Sequence, residues 1–124
     1  PCDDSLIRSG AYSEDGGYEA MKSLLTGDKP VTAVFAANDL MAMGAMIAIR
    51  EAGLRIPQDI AIMGFDDIPT ARLVYPPLTT VAQFQRKLGQ RAAEMLMERI
   101  TRDIPEKGRS VEMPYELIER DSTG

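Results

Sequence analysis

An α/β fold, a parallel sheet flanked by helices, is predicted from three observations. Two apolar runs, VTAVFAA and IAIMGF, have the length and residue types of strands buried on both faces. Segments with apolar residues at helical spacing alternate with them, giving the order β, α, β, α, β. The connections are only a few residues long, as right-handed crossovers between parallel strands allow.

Each element follows from its residues. Near the start, SLIR (Ser5 to Arg8) has the short apolar character of a strand, and GAYSEDGG supplies a loop rich in glycine and small polar residues. From Glu14 to Leu25, Tyr18, Met21, Leu24 and Leu25 fall at helical spacing, with Ser13 or Asp15 as N-cap and Gly27 as stop. VTAVFAA, bounded by Pro30 and Asn38, reads as a central strand. LMAMGAMIAIREAG is apolar nearly all round, ends at Gly53 and follows Asn38 and Asp39 as potential caps, so it reads as a well-buried helix. After Pro57, IAIMGF gives a second buried strand leading into Asp66 and Asp67. The last third differs. YPPLTTV is extended and interrupted by proline, and a helix from about Gln85 to Thr101 turns Leu88, Ala92, Met95, Leu96 and Ile100 inward. A loop, RDIPEKGRS, precedes SVEMP and YELIER, which close the chain as strands or edge connections before a polar DSTG tail.

Composition excludes several classes of function. The 124 residues, 44% of them hydrophobic, suffice for one domain-sized core or part of a larger one. The net charge is -5, with Lys and Arg scattered among acidic neighbours, so no concentrated basic footprint for nucleic acid is present. There is no histidine, which removes Ser-His, Cys-His and His-metal chemistry, and the lone Cys2 has no partner for a disulfide or a metal. No catalytic residue, metal site or cofactor is expected. No apolar run approaches the roughly 20 residues needed to span a bilayer, and no leader is visible, so a cytoplasmic protein is expected.

In open parallel sheets ligands bind beyond the carboxyl ends of the strands, which points to Asn38, Asp39, Asp66 and Asp67. Two readings stay open for each pair. Asn38 and Asp39 could simply cap the following helix; Asp66 and Asp67 could accept hydrogen bonds from ligand hydroxyls or amines, or form an Asx turn before Pro69. Tyr12, in its glycine-bounded loop, could stack on a sugar or base or merely pack. Met41, Met43 and Met46 fit core or an adaptable interface. Gly16 and Gly17 lack the spacing of any phosphate-binding loop.

Taken together, SGAYSEDGGYEAM, AANDLMAMGA, GLRIPQDIAIMGFDD, PPLTTVAQ, LGQRAAEMLMERI and the closing ELIERDSTG resemble, in order and over nearly the whole chain, the C-terminal effector-binding region of LacI/GalR-family bacterial transcription regulators. The resemblance implies a periplasmic-binding-protein-like fold in which two subdomains close on a sugar, nucleobase or related effector. Sugar is the family default. It further implies DNA binding only through an N-terminal helix-turn-helix upstream of Pro1, and signalling by the relative orientation of the two lobes.

By the same resemblance, Asn38 and Asp66 contact effector polar groups, Tyr12 stacks on the effector ring, and Gln83 lines the cleft. A homodimer is implied, with Met43, Met46, Leu73 and Val74 at its interface. Residues 1 to 80 correspond to the C-terminal subdomain, 81 to 110 to a crossover and a helix of the N-terminal subdomain, and 111 to 124 to a return strand and tail. The helix at 86 to 103 then lacks its native bed, from which a dimer or a swapped helix is expected. Two rivals are a periplasmic sugar-binding protein working with a membrane permease, and a carboxylate-dependent enzyme using Asp66 and Asp67, for which no second acid site or metal partner is visible.

Overall fold

The computed structural model describes residues 3 to 101 and 108 to 124; Cys2 and most of the RDIPEKGRS loop lie outside the described residues. Three helices, α1 (Glu14–Leu25), α2 (Asp39–Glu51) and α3 (Gln85–Thr101), alternate with short strands β1 (Ala33–Phe35), β2 (Ala61–Met63), β3 (Thr80–Ala82) and β4 (Glu116–Ile118). β1 and β2 run parallel, with Val34 opposite Ile62. A parallel bridge between Met63 and Thr79 carries the arrangement on to β3. β3 then pairs with β4 antiparallel, so the closing segment YELIER, expected as a strand or edge connection, is a strand beside β3.

The core lies between α2 and the strands, where Met21, Met46, Ile49, Ile60, Ile62 and Leu78 are fully buried. α2 buries Asp39, Ala42, Gly44, Ala45, Met46, Ala48 and Ile49, most of them small residues. Small residues let α1 and α2 approach backbone to backbone. A Cβ on Gly44 would run into the Glu14 carbonyl oxygen, and one on Gly17 into the backbone of Met41. The end of α2 is set by Gly53 at φ +75°, whose N–H donates to Arg50 O at 2.9 Å while Leu54 N reaches Ile49 O at 3.1 Å.

Three sequence expectations need correction. SLIR is not a strand: Asp4–Leu6 form a 3-10 turn, because the Asp3 carboxylate accepts from Ser5 N at 3.0 Å and from Ser5 Oγ at 2.7 Å, turning the chain before a ladder can start. VTAVFAA is an edge strand, with Phe35 63% exposed. Its free side faces Leu6, Ile7 and Arg8 across an apolar hollow of about 550 Å³ where a paired strand would have covered it. The DSTG tail is no loose end. Ser122 is fully buried, its Oγ donating to Ile62 O at 2.6 Å and accepting from Thr79 N at 2.8 Å. Its own N–H donates to Pro77 O at 3.0 Å.

α3 forms where periodicity places it, but none of its residues is buried; Leu96 is 60% and Ile100 68% exposed. No described helix is long and apolar enough to cross a membrane.

Candidate functional site

The site is built at the carboxyl ends of the strands. β1 leads to Asn38, β2 to Asp66 and Asp67, and β3 to Gln83, while Tyr12 ends the segment that enters α1. Because β1, β2 and β3 run the same way, these ends lie along one rim of the sheet.

Asn38 joins two parts of that rim. Its Oδ1 caps α2 by accepting from Met41 N at 2.9 Å, and its Nδ2 donates to Tyr12 O at 3.1 Å. The capping reading therefore holds, and the second amide hydrogen has no acceptor among the described residues. Tyr12 sits at φ 55°, beside Ala11 at φ 49°, in a loop held by the Ser13 cap on Gly16 N, and its ring is 70% exposed.

Asp66 and Gln83 are brought together: Gln83 Nε2 donates to Asp66 Oδ1. The turn that carries Asp66 is strained, with φ 118° at Asp66 and 51° at Asp67, a region that L-residues occupy only when neighbours over-determine it. The neighbours do so. Asp66 N donates to Val81 O at 2.9 Å, Asp67 N to Thr80 Oγ1 at 3.3 Å, and Ile68 N to Asp39 Oδ2 at 2.9 Å. Arg120 Nη2 closes on Asp67 Oδ1 at 2.6 Å. No Asx turn is needed to account for it.

Asp39 lies beneath this turn with no solvent exposure, accepting from Thr80 Oγ1 at 2.6 Å. Burial pushes its carboxyl above the ordinary 3.8, opposed by the donors Thr80 and Ile68 and reinforced by the nearby Asp66 and Asp67 charges. The rim thus presents Asp66 held by a neutral amide, a capping amide at Asn38 and an exposed aromatic ring. That arrangement can accept and donate hydrogen bonds to a polar, uncharged ligand and can stack on its ring. No group of three potential metal ligands occurs among the described residues. A hollow of about 360 Å³ adjoins Gln83, lined also by Phe65, Val81, Leu88, Met113 and Tyr115. The larger hollow beside β1 is mostly apolar, and its lining includes none of Tyr12, Asn38, Asp66 and Gln83.

Of the four residues assigned to a dimer interface, Met46 is only 1% exposed and packs in the core, which is the core reading of the methionines at that position. Met43 and Val74 are half-buried against the core, and Leu73 is 74% exposed. Thr80 and Arg120 were not singled out from the sequence. Their partners lie 41 and 53 residues away, and neither residue carries a local signal.

Residues 1 to 123 match the model of the periplasmic binding protein-like domain. The chain belongs to that family. Its relatives include the HTH-type transcriptional repressor PurR of Haemophilus influenzae, 48% identical over 97 residues that make up 78% of this chain and 29% of that protein. PurR of Pasteurella multocida is 45% identical over 116 residues, 94% of this chain and 34% of the relative. Among solved structures, the complex of the transcriptional regulator CelR with cellobiose is 38% identical at a TM-score of 0.90, over 98% of this chain and 37% of that one. The lac repressor dimer bound to operator and the anti-inducer ONPF is 37% identical at a TM-score of 0.83, over 92% and 39%. The family's LacI/GalR branch is therefore where this chain falls, and it spans about a third of the length of the curated relatives it matches.

Proposed function

We propose that this chain is the effector-sensing part of a LacI/GalR-type transcriptional regulator, that its effector is a neutral sugar, and that it performs no catalysis. The observation that carries this reading is the Asp66 carboxylate, oriented by Gln83 in a strained and heavily braced turn on the rim where the strands end. A carboxylate so held accepts hydroxyl hydrogens strongly and directionally. Asn38 supplies a complementary donor, and Tyr12 a face on which a sugar ring can rest. The likeness to the CelR–cellobiose complex supports a sugar.

In this reading the effector closes a second lobe onto the rim, and the change of lobe orientation passes through a homodimer to DNA-binding heads outside this chain. The dimer face includes Met43, Leu73 and Val74. The chain itself, at net charge -5, leaves DNA to those heads, and the protein works in the cytoplasm. A periplasmic sugar receptor shares the fold, but the PurR relatives, 48% and 45% identical, are repressors.

The test is an NMR titration of the chain with cellobiose, ribose, lactose and purine bases, followed at the amides of Tyr12, Asn38, Asp66 and Gln83. One sugar is expected to shift these amides, weakly because the second lobe is not there to close on it, and Asp66→Asn in the full-length regulator to weaken it by on the order of 1.5 to 3 kcal/mol, about tenfold or more. If a purine alone moves them, the sugar assignment falls. An Asp66→Asn chain that titrates like wild type removes Asp66 from the site.

A further inference from the structure

We infer that Asp39 is a positioning residue for the effector site: from beneath, it braces the strained turn that aims Asp66, and so acts on the effector through Asp66 without touching it. This rests on the reading of Asp66 as an effector ligand.

Three observations converge on it. First, Asp39 is a fully buried carboxylate whose hydrogen-bond partners are neutral donors, Thr80 Oγ1 on one oxygen and Ile68 N on the other. A buried charge without a cation is costly, and capping α2 does not require it, because the Asn38 side chain already performs that cap. Second, both partners belong to the turn or to the strand beside it. Ile68 follows Asp67, and Thr80 Oγ1 both donates to Asp39 and accepts from Asp67 N. Asp39 N completes the clamp by donating to Phe65 O at 2.9 Å, so Asp39 bonds the chain on both sides of Asp66 and Asp67. Third, Gly64 keeps the space clear: a Cβ there would collide with Asp39 Oδ1. The carboxylate thus sits where the two left-handed residues must be held from below, while Gln83 and Arg120 engage their side chains.

Neutral donors suit this task. A hydroxyl and an amide fix the backbone from below and leave the Asp66 side chain to Gln83 and the effector. The charged groups around Asp39 are Asp66 and Asp67, the latter paired with Arg120.

Amide hydrogen exchange on the full chain tests the brace whatever the effector proves to be. In Asp39→Asn, one carboxylate oxygen becomes a donor and cannot serve both partners. The amides of Asp67 and Ile68 are expected to exchange about tenfold faster or more, while the core amides of α2 at Ala45 to Ile49 keep their protection. Should Asp39→Asn fail to fold, Thr80→Val gives the same local loss at Asp67, and Thr80→Ser, which keeps the hydroxyl, restores it. Unchanged exchange at Asp67 and Ile68, or a uniform rise through α2 as well, overturns the inference. Titration with cellobiose then separates the two readings. Loss of affinity in Asp39→Asn that disappears when Asp66 is already Asn supports positioning through Asp66, and an equal further loss in that background refutes it. If the binding of cellobiose, ribose and lactose is in every case indifferent to Asp66, the effector reading fails while the exchange result still judges the brace.

Discussion

Arg120 and Asp67 are 53 residues apart in the chain and 2.6 Å apart in space. The same guanidinium donates through Nη1 to Leu78 O at 2.7 Å, and the Arg120 amide donates to Thr79 Oγ1 at 2.8 Å. The returning C-terminal segment is thereby locked to both the Asp66 turn and the entry into β3. Both side chains of the pair are mostly buried, so removing one leaves a poorly solvated charge and an unpaired carbonyl. Arg120→Met is expected to destabilise the chain by about 1 to 3 kcal/mol, allowing for the solvent that still reaches the pair. A urea unfolding curve measures it, and an unchanged midpoint would mean that the segment is held by the backbone of Arg120 on Thr79 and by Ser122, without help from the guanidinium.

Gly44 and Gly89 should respond oppositely to alanine. At Gly44 the added methyl would collide with the Glu14 carbonyl oxygen and lie 2.8 Å from Tyr18 N, both backbone atoms, so α1 and α2 must separate. A cost of about 1 to 3 kcal/mol is expected. At Gly89, inside α3, nothing lies within 4 Å, and the gain in helix propensity is about 0.5 to 1 kcal/mol. Thermal melts of the two variants moving in the same direction would refute the close helix packing.

The α/β alternation was legible in the sequence because it rests on local pattern, apolar runs and helical spacing, and polar residues where strands end marked Asn38 and Asp66, whereas Gln83 and the stacking role of Tyr12 came from the family resemblance. What stayed hidden was set by distant partners. Ser122 looked like a polar tail, yet it pairs with Ile62, 60 residues back, and Thr80 looked like an ordinary strand residue. Phe35 shows the converse. Its run has the composition of a central strand, but the number of neighbours a strand acquires depends on what the rest of the chain lays beside it, and here one edge stays open. Asp39 read as a potential cap, a task that Asn38 performs, and its role as a brace was hidden because that depends on Thr80, 41 residues away.

Asp39 and Asp59 are expected to tilt stability with pH in opposite senses. Burial raises the Asp39 carboxyl above 3.8, so the folded chain binds that proton more readily than the unfolded one. Its contribution is fully present below 3.8 and is lost as pH rises through the folded value. Asp59 is held at about 2 by hydrogen bonds from the Arg55 side chain and amide. Its contribution is present above 3.8 and is lost as pH falls toward 2. In urea unfolding over a pH series, wild type should lose ground to Asp39→Asn as pH rises and gain ground on Asp59→Asn. Parallel curves for either pair would contradict the corresponding shift.

α3 raises the question of what covers its apolar stripe. A helix of 17 residues standing alone is marginal in water, and its internal pairs, Gln90 with Glu94 at 3.0 Å and Arg91 with Glu94 at 3.2 Å, add only about 0.2 to 0.5 kcal/mol each. Leu96, Met97 and Ile100 meanwhile stay more than half exposed. Apolar surface of this kind gains about 25 cal/mol for each Å² removed from water, so contact between copies is favoured as concentration rises. Self-association is therefore expected for the 124-residue chain, and Leu96→Lys with Ile100→Lys should weaken it by about tenfold or more, since each charge must be desolvated on contact. Sedimentation across a concentration series distinguishes the cases. A wild-type chain that remains monomeric throughout would show that α3 is either self-sufficient or unfolded, and loss of helical circular dichroism in the double variant at low concentration would decide between those two.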